Sequence, residues 1–254
     1  MEEFAKYILN EEDLTSKIEI IYFLAPKLGI NFDKSIVFKT EIARMFLKYT
    51  QIKIDTNLVL TANLLCNCKK VDDAQKIGRL RTYAKEGAEH LSKLGFDEKF
   101  CKICEGVNRY SGIKPREPES DIIELVDNFG GMLIDRPERV ALNPDEAMVL
   151  IEYRNLKSEY NKYMESFRDF VNSMEKVEIH GVVNTTVFAR LQKLMRETKN
   201  VPEFTKKIAL EYSPSVDEKL DELRGIKAQY KDRTNRALFT AESEEKILKH
   251  SNSK

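Results

Sequence analysis

The sequence has no tryptophan, only three histidines and four cysteines among 254 residues, and no surplus charge, with 42 Lys and Arg set against 42 Asp and Glu. The charge balance argues against a general nucleic-acid or anionic-membrane binder, since both need clustered excess base. No apolar run reaches the roughly 18 residues of a membrane-spanning helix, so no membrane segment is expected. The chain opens Met1-Glu2-Glu3, with acid where a secretory leader carries base. Four thiols without such a leader suit a reducing cytosol, so a cytoplasmic protein with free cysteines is expected. Ten glycines and seven prolines leave few breaks, which suits a compact, mostly helical chain. What is present is 42% hydrophobic and 33% charged residues, enough apolar material for a core and too much for disorder. The length fits one large or two small domains at roughly 100–200 residues each.

Apolar residues recur at three- and four-residue steps nearly throughout, without convincing period-two alternation, so the expected fold class is all-α. Ile42, Met45, Phe46 and Tyr49 mark one amphipathic helix. Leu58 to Leu65 reads as a buried helix, and Ala84 to Leu94 as another closed by Gly95. Asp97 caps a helix through Phe100, Ile103 and Val107. Residues 111–120, with Gly112, Pro115 and Pro118, read as a loop, and Ile122 to Met132 as a helix. Leu14, Ile18, Ile21 and Tyr22 stand at helical spacing in an N-terminal segment expected to pack on the core.

Asn143-Pro144 reads as an N-cap followed by proline at the first helical position, with Asp145 and Glu146 suiting the helix dipole. From there Val149, Tyr153, Leu156, Tyr160, Tyr163, Phe167, Phe170, Met174 and Val177 step alternately by four and three. That spacing predicts one helix over 144–177, about 50 Å long, with a heptad seam. The seam needs a partner, either a helix of the same chain, such as that spaced by Val216, Leu220, Leu223 and Tyr230, or its own copy in a homodimer. Five aromatics suit intrachain packing better than a narrow parallel two-stranded seam. Gly181 and Asn184 separate this helix from a shorter one, Val187 to Met195. Pro202 opens another, Ser213-Pro214-Ser215 caps the last long helix, and the tail from Ser243 frays. The expected organisation is N-terminal helices over 1–35, a helical domain over 36–142 and a long-helix region over 143–254.

Four ordered phrases carry a family resemblance. Tyr83-Ala-Lys-Glu-Gly-Ala-Glu-His-Leu-Ser-Lys-Leu-Gly-Phe96 is similar to "H-P-x-x-G-A-E-x-L-x-x-L-G-F". Ile122-Ile-Glu-Leu-Val-Asp-Asn-Phe-Gly-Gly-Met132 is similar to "I-x-x-V-A-D-x-F-D-A-L". Asp135-Arg136-Pro137 matches "D-R-P", and Ala141-Leu-Asn-Pro-Asp-Glu-Ala147 matches "A-L-S-P-E-E-A". On these grounds residues 36–150 resemble an HD-type phosphohydrolase domain, more closely its HD-GYP branch. The resemblance implies an all-helical core carrying two or three metals on His and Asp side chains, which activate water for attack on phosphorus. It implies cyclic di-GMP as the usual substrate of active members.

Most of the implied ligands are replaced. The helix that should read "L-L-H-D-I-G-K" reads Leu64-Leu-Cys-Asn-Cys-Lys-Lys70, with Cys66 for His, Asn67 for Asp, and Lys70 retained. Tyr83 stands for the His before Gly-Ala-Glu. "H-H-E-R-Y-D-G" reads Gly106-Val-Asn-Arg-Tyr-Ser-Gly112, keeping Arg109, Tyr110 and Gly112 but no histidine. The early His expected near Phe38 is absent. Of the ligands only Asp127 remains, and one carboxylate does not hold a catalytic divalent pair. His90 falls at a position that is not a ligand in the family, His180 at a helix break and His250 in the tail.

Two clusters remain as candidates. Cys66, Cys68, Cys101 and Cys104 supply the thiol count of a structural zinc site. Residues two apart on a helix point in nearly opposite directions, however, and free cysteine commonly packs as a small buried hydrophobe. Lys70, Arg109, Asp127, Asp135 and Arg136 form a candidate pocket at the former metal site. They are either satisfied ion pairs or a site for an anion such as a nucleotide phosphate. The reading favoured is a catalytically inactive HD-GYP-like regulatory module in signalling, without cofactor, that binds a protein partner through its C-terminal helices. The alternatives are a nucleotide sensor of the cyclic di-GMP kind and a phosphohydrolase with an altered metal site.

Overall fold

The structure is a computed structural model and describes residues 2–70, 82–108, 111–136, 139–156, 161–175 and 186–251. Among them the fold is all-α. In chain order the helices are α1 Glu2–Asn10, α2 Leu14–Leu28, α3 Lys34–Thr50, α4 Thr56–Leu65, α5 Tyr83–Lys93, α6 Glu98–Gly106 and α7 Pro118–Met132. They continue with α8 Pro144–Leu156, α9 Met164–Glu175, α10 Val187–Glu197, α11 Val201–Lys207 and, after a π-turn over Ile208–Tyr212, α12 Ser213–Ser251. None of the described helices is long and apolar enough to cross a membrane.

Local chemistry sets most of the boundaries. The Asp97 carboxylate accepts from the Phe100 amide at 2.7 Å and starts α6. Asn143 and Glu146 exchange side-chain-to-backbone bonds of 2.9 and 3.0 Å at the start of α8, a reciprocal capping box. Gly95, at φ 95°, ends the turn after α5 in a conformation that only glycine adopts readily. Asp33 and Asp55 cap α3 and α4 in the same way as Asp97. The 111–120 loop is shorter than its composition suggests. Pro118 opens α7, and Ser120, fully buried, donates to the Ile103 carbonyl of α6 at 2.8 Å.

α3 is the central helix, packed on α4, α7, α9, α10, α11 and α12. Phe46 of α3, Phe129 of α7, Phe167 and Phe170 of α9 and Phe188 of α10 form a ring cluster with centroids 5.1–5.9 Å apart. These are favourable tilted and edge-to-face separations. One apolar core runs from Ala5 in α1 to Leu220 in α12, taking residues from all three regions named above. The N-terminal helices join it through Ala5, Ile8, Ile18 and Ile21.

Two expectations about the C-terminal region are corrected. The predicted single helix over 144–177 is two helices, α8 ending at Leu156 and α9 opening at Met164, with the turn before α9 set by Asn161. Its side chain, only 1% exposed, donates to the Asp121 carbonyl of α7 at 2.8 Å and accepts from the Tyr163 amide at 3.0 Å. The heptad does not mark one face. Val149 and Tyr153 are exposed, whereas Phe167, Phe170 and Met174 are fully buried against the chain's own core. Tyr160 and Val177 lie outside the described residues. Nor does Ser213-Pro214-Ser215 cap a new helix, since α11 runs through the π-turn into α12. Proline lacks an N–H and clashes with the carbonyl four residues back, and the widened turn accommodates it. The turn also buries Tyr212, whose hydroxyl donates to the Val187 carbonyl at 3.0 Å.

Candidate functional site

Asp127 lies on the face of α7 turned towards α3 and the end of α4. Its Oδ1 accepts from Lys39 Nζ at 2.8 Å and Asn67 Nδ2 at 2.7 Å, and its Oδ2 lies 3.2 Å from Lys70 Nζ. Burial pushes the carboxyl up, but the two ammonium groups and their hydrogen bonds outweigh it and hold Asp127 well below the usual carboxylate range. Lys39 is 5% exposed. Its stem crosses α7 at Gly130, where an added Cβ would stand 2.6 Å from Lys39 Cγ. Glycine at 130 is therefore what lets the ammonium reach Asp127.

Asn67 and Lys70 sit on the turn that closes α4. Asn31 fastens that turn through its backbone amide to the Cys68 carbonyl (2.9 Å) and its side chain to the Lys70 carbonyl (2.7 Å). Lys69 adds a 2.7 Å bond to the Gly29 carbonyl. Tyr83 completes the group, with Lys70 Nζ 5.3 Å from its ring centroid. Burial, and then the charge of Asp127, push the Tyr83 hydroxyl up. A shallow cleft beside the cluster is lined by Asn31, Asp33, Ser35, Lys39, Asn67, Lys70 and Arg136, with about 20 Å³ of free volume. That is roughly one water's worth, against the several hundred Å³ of a nucleotide pocket. Asn67 Oδ1 is buried with no hydrogen-bond partner.

The structure thus brings together Lys70, Asp127 and Arg136 of the sequence-derived set. Asp135 is elsewhere: it is exposed, accepts from the Ala141 amide at 2.9 Å and lies 3.8 Å from Arg196. Arg109 and Pro137 lie outside the described residues. Sequence reasoning missed Lys39. The signal was there, because Lys39 stands at helical spacing with Ile36, Ile42 and Phe46 on the buried stripe of α3, where a lysine needs a partner.

The donor set does not suit a divalent pair. A catalytic metal needs several anionic or imidazole donors, and among the described residues the Asp127 carboxylate faces two ammonium groups and an amide N–H. The cysteines suit a metal no better. Cys66, Cys68 and Cys104 are buried, and their thiols point at the Asn63, Gly87 and Ala62 carbonyls at 3.7, 3.8 and 4.0 Å. Burial pushes the Cys68 thiol up to about 12 and the half-buried Cys101 thiol up to about 11, against the thiolate that a metal or a nucleophilic role requires. Among the described residues no group of three or more His, Cys, Asp or Glu side chains is placed to hold a metal ion. His90 has a structural partner, its Nε2 lying 2.8 Å from the Leu28 carbonyl; His180 is outside the described residues.

A second polar group fastens the C-terminal helix. Arg44 of α3 bonds both oxygens of the buried Glu41 at 2.8 Å and reaches Asp217 of α12 at 2.7 Å. Lys48 lies 3.4 and 3.3 Å from Asp217 and Asp221. Lys227 stacks over the Tyr49 ring at 4.1 Å and pairs with Asp169. Comparison with family models, curated proteins and solved structures finds no match, so a functional reading rests on these side chains themselves.

Proposed function

We propose that the chain is a non-catalytic, HD-GYP-like helical module that acts in regulation by binding protein through its C-terminal helices. The observation that carries the reading is the Asp127 cluster. Positions that the resemblance assigns to metal ligands, Cys66, Asn67, Tyr83 and Asp127, converge around one carboxylate, which supports common descent of the scaffold. The charge that metals would supply is instead supplied by Lys39 and Lys70. A protonated amine has no lone pair to give a metal, so among the described residues the cluster neutralises its carboxylate internally and offers no metal-bound water for attack on phosphorus.

The small cleft favours this reading over a nucleotide sensor, and the donor set favours it over an altered hydrolase. The surface this reading assigns to binding is C-terminal. Val149, Leu150 and Tyr153 of α8 are exposed, and residues 225–234 of α12 are all exposed. The test is turnover of cyclic di-GMP and of a chromogenic phosphodiester with Mn²⁺, Fe²⁺ or Mg²⁺ added. No metal-dependent hydrolysis above the metal-only blank is expected. Metal-dependent turnover that Asp127→Asn abolishes would overturn the reading.

A further inference from the structure

α12 is 39 residues long, about 58 Å, and its described contacts with the rest of the chain are made by its first turns. Val216 and Leu220 are fully buried, Leu223 is half-buried, and Lys227 makes the Tyr49 and Asp169 contacts. Beyond that point the described side chains stand in solvent, with Tyr230 74% exposed. A stretch of helix that stands in solvent, as 228–234 does, draws little support from the core, and helices of that kind are marginal in water.

The seam that docks α12 continues along it. Val216, Leu220, Leu223, Lys227 and Tyr230 are followed at the same alternating steps by Thr234, Ala237, Ala241, Glu244 and Leu248. The flanking charge is segregated. Lys231, Arg233 and Arg236 outnumber Asp232 in one block, and Glu242 and Glu245 outnumber Lys246 in the next. A parallel pair would set each block against its like. An antiparallel pair with its two-fold at Phe239 does the opposite. It sets Tyr230 level with the partner's Leu248 and Ala237 level with the partner's Ala241, and lays each basic block beside the partner's acidic one. The seam maps onto itself in this alignment, seam layer on seam layer, as an antiparallel coil requires.

We propose that the free half of α12 pairs antiparallel with the same segment of a second copy, making the chain a homodimer whose helical cores stand at opposite ends of the coil. Large residues meet at its ends and alanines at its middle, so the helices approach closely at the two-fold. The first turns of α12, fixed by Arg44 and Lys48, nucleate the helix and lower the cost of pairing. This rests on the reading of α12 as the contact surface, and the two fail separately. A monomer without hydrolytic activity would sink the dimer alone, and a dimer with metal-dependent turnover would sink only the non-catalytic reading.

The test is the mass in solution of the full chain, by light scattering on a sizing column at high micromolar concentration. The native chain is expected at twice the chain mass. Glu242→Lys with Glu245→Lys should give the monomer, and mixing that variant with Arg233→Glu, Arg236→Glu, the residues level with them in this alignment, should restore a dimer. Orientation is read by oxidising Ala237→Cys and Ala241→Cys variants. Antiparallel pairing gives a disulfide when the two are mixed, whereas parallel pairing cross-links each to itself. A monomeric native chain, a dimer indifferent to the charge reversals, or self-linked single variants would each overturn the proposal.

Discussion

Lys39 is the residue on which the Asp127 cluster depends most. It is mid-helix, buried, and threads over Gly130 to a carboxylate that would otherwise share only Lys70 and Asn67. Lys39→Met leaves a buried charge under-compensated and is expected to cost about 3 kcal/mol, read as a lower urea midpoint at unchanged m-value. The cluster also sets an acid limit. The Asp127 carboxyl is held below its ordinary value of 3.8, so its contribution is full above about pH 4 and is lost as pH falls towards the lowered folded value. Asp127→Asn should flatten the fall in melting temperature between about pH 5 and pH 2 relative to the native chain. At this scale the sequence points to Lys70 and Asp127 but not to Lys39. A lysine in an amphipathic helix reads as solvated until its place on the apolar stripe is weighed. Lys17 presents the same difficulty. It is 1% exposed, reaches Thr61 Oγ1 at 2.6 Å and also bonds Asn57, and burial, opposed in part by the charge of Glu11, lowers its ammonium to about 8.

Among the elements, those with a local chemical signal are legible and those set by a distant partner are not. Asp97 and Asn143 cap where their spacing to Phe100 and Glu146 places them. The break at Asn161 has no such mark, because the heptad of apolar residues runs past it and its hydrogen-bond partners sit on α7, some 40 positions earlier. Asn161→Ala removes the bond to the Asp121 carbonyl and the cap at Tyr163 together. The expected loss is about 2 kcal/mol in the urea midpoint, with helical content unchanged. A gain in helical signal instead would mean that the 144–177 heptad prefers the continuous helix when released. The π-turn before α12 escapes a periodicity argument for a similar reason. Ser213-Pro214-Ser215 reads as the start of a new helix, whereas α11 runs on through the turn that buries Tyr212 and into α12.

As a whole molecule the chain combines one helical core with a helix that outruns it. Among the described residues the core carries buried ion pairs at three places, Asp127 with its lysines, Arg116 with Glu124, and Glu41 with Arg44, the last tying α12 to α3. The all-α class and the absence of a long apolar helix follow from composition and period alone. The resemblance to a phosphohydrolase draws attention to the region around Asp127, and the chemistry found there is that of a neutralised carboxylate. The most direct measurement is the metal content of the full chain purified without chelator, by elemental mass spectrometry. A self-neutralised Asp127 predicts less than about a tenth of an equivalent of any transition metal. About two equivalents of iron or manganese per chain would contradict it, because a filled pair needs the donors that Lys39 and Lys70 displace.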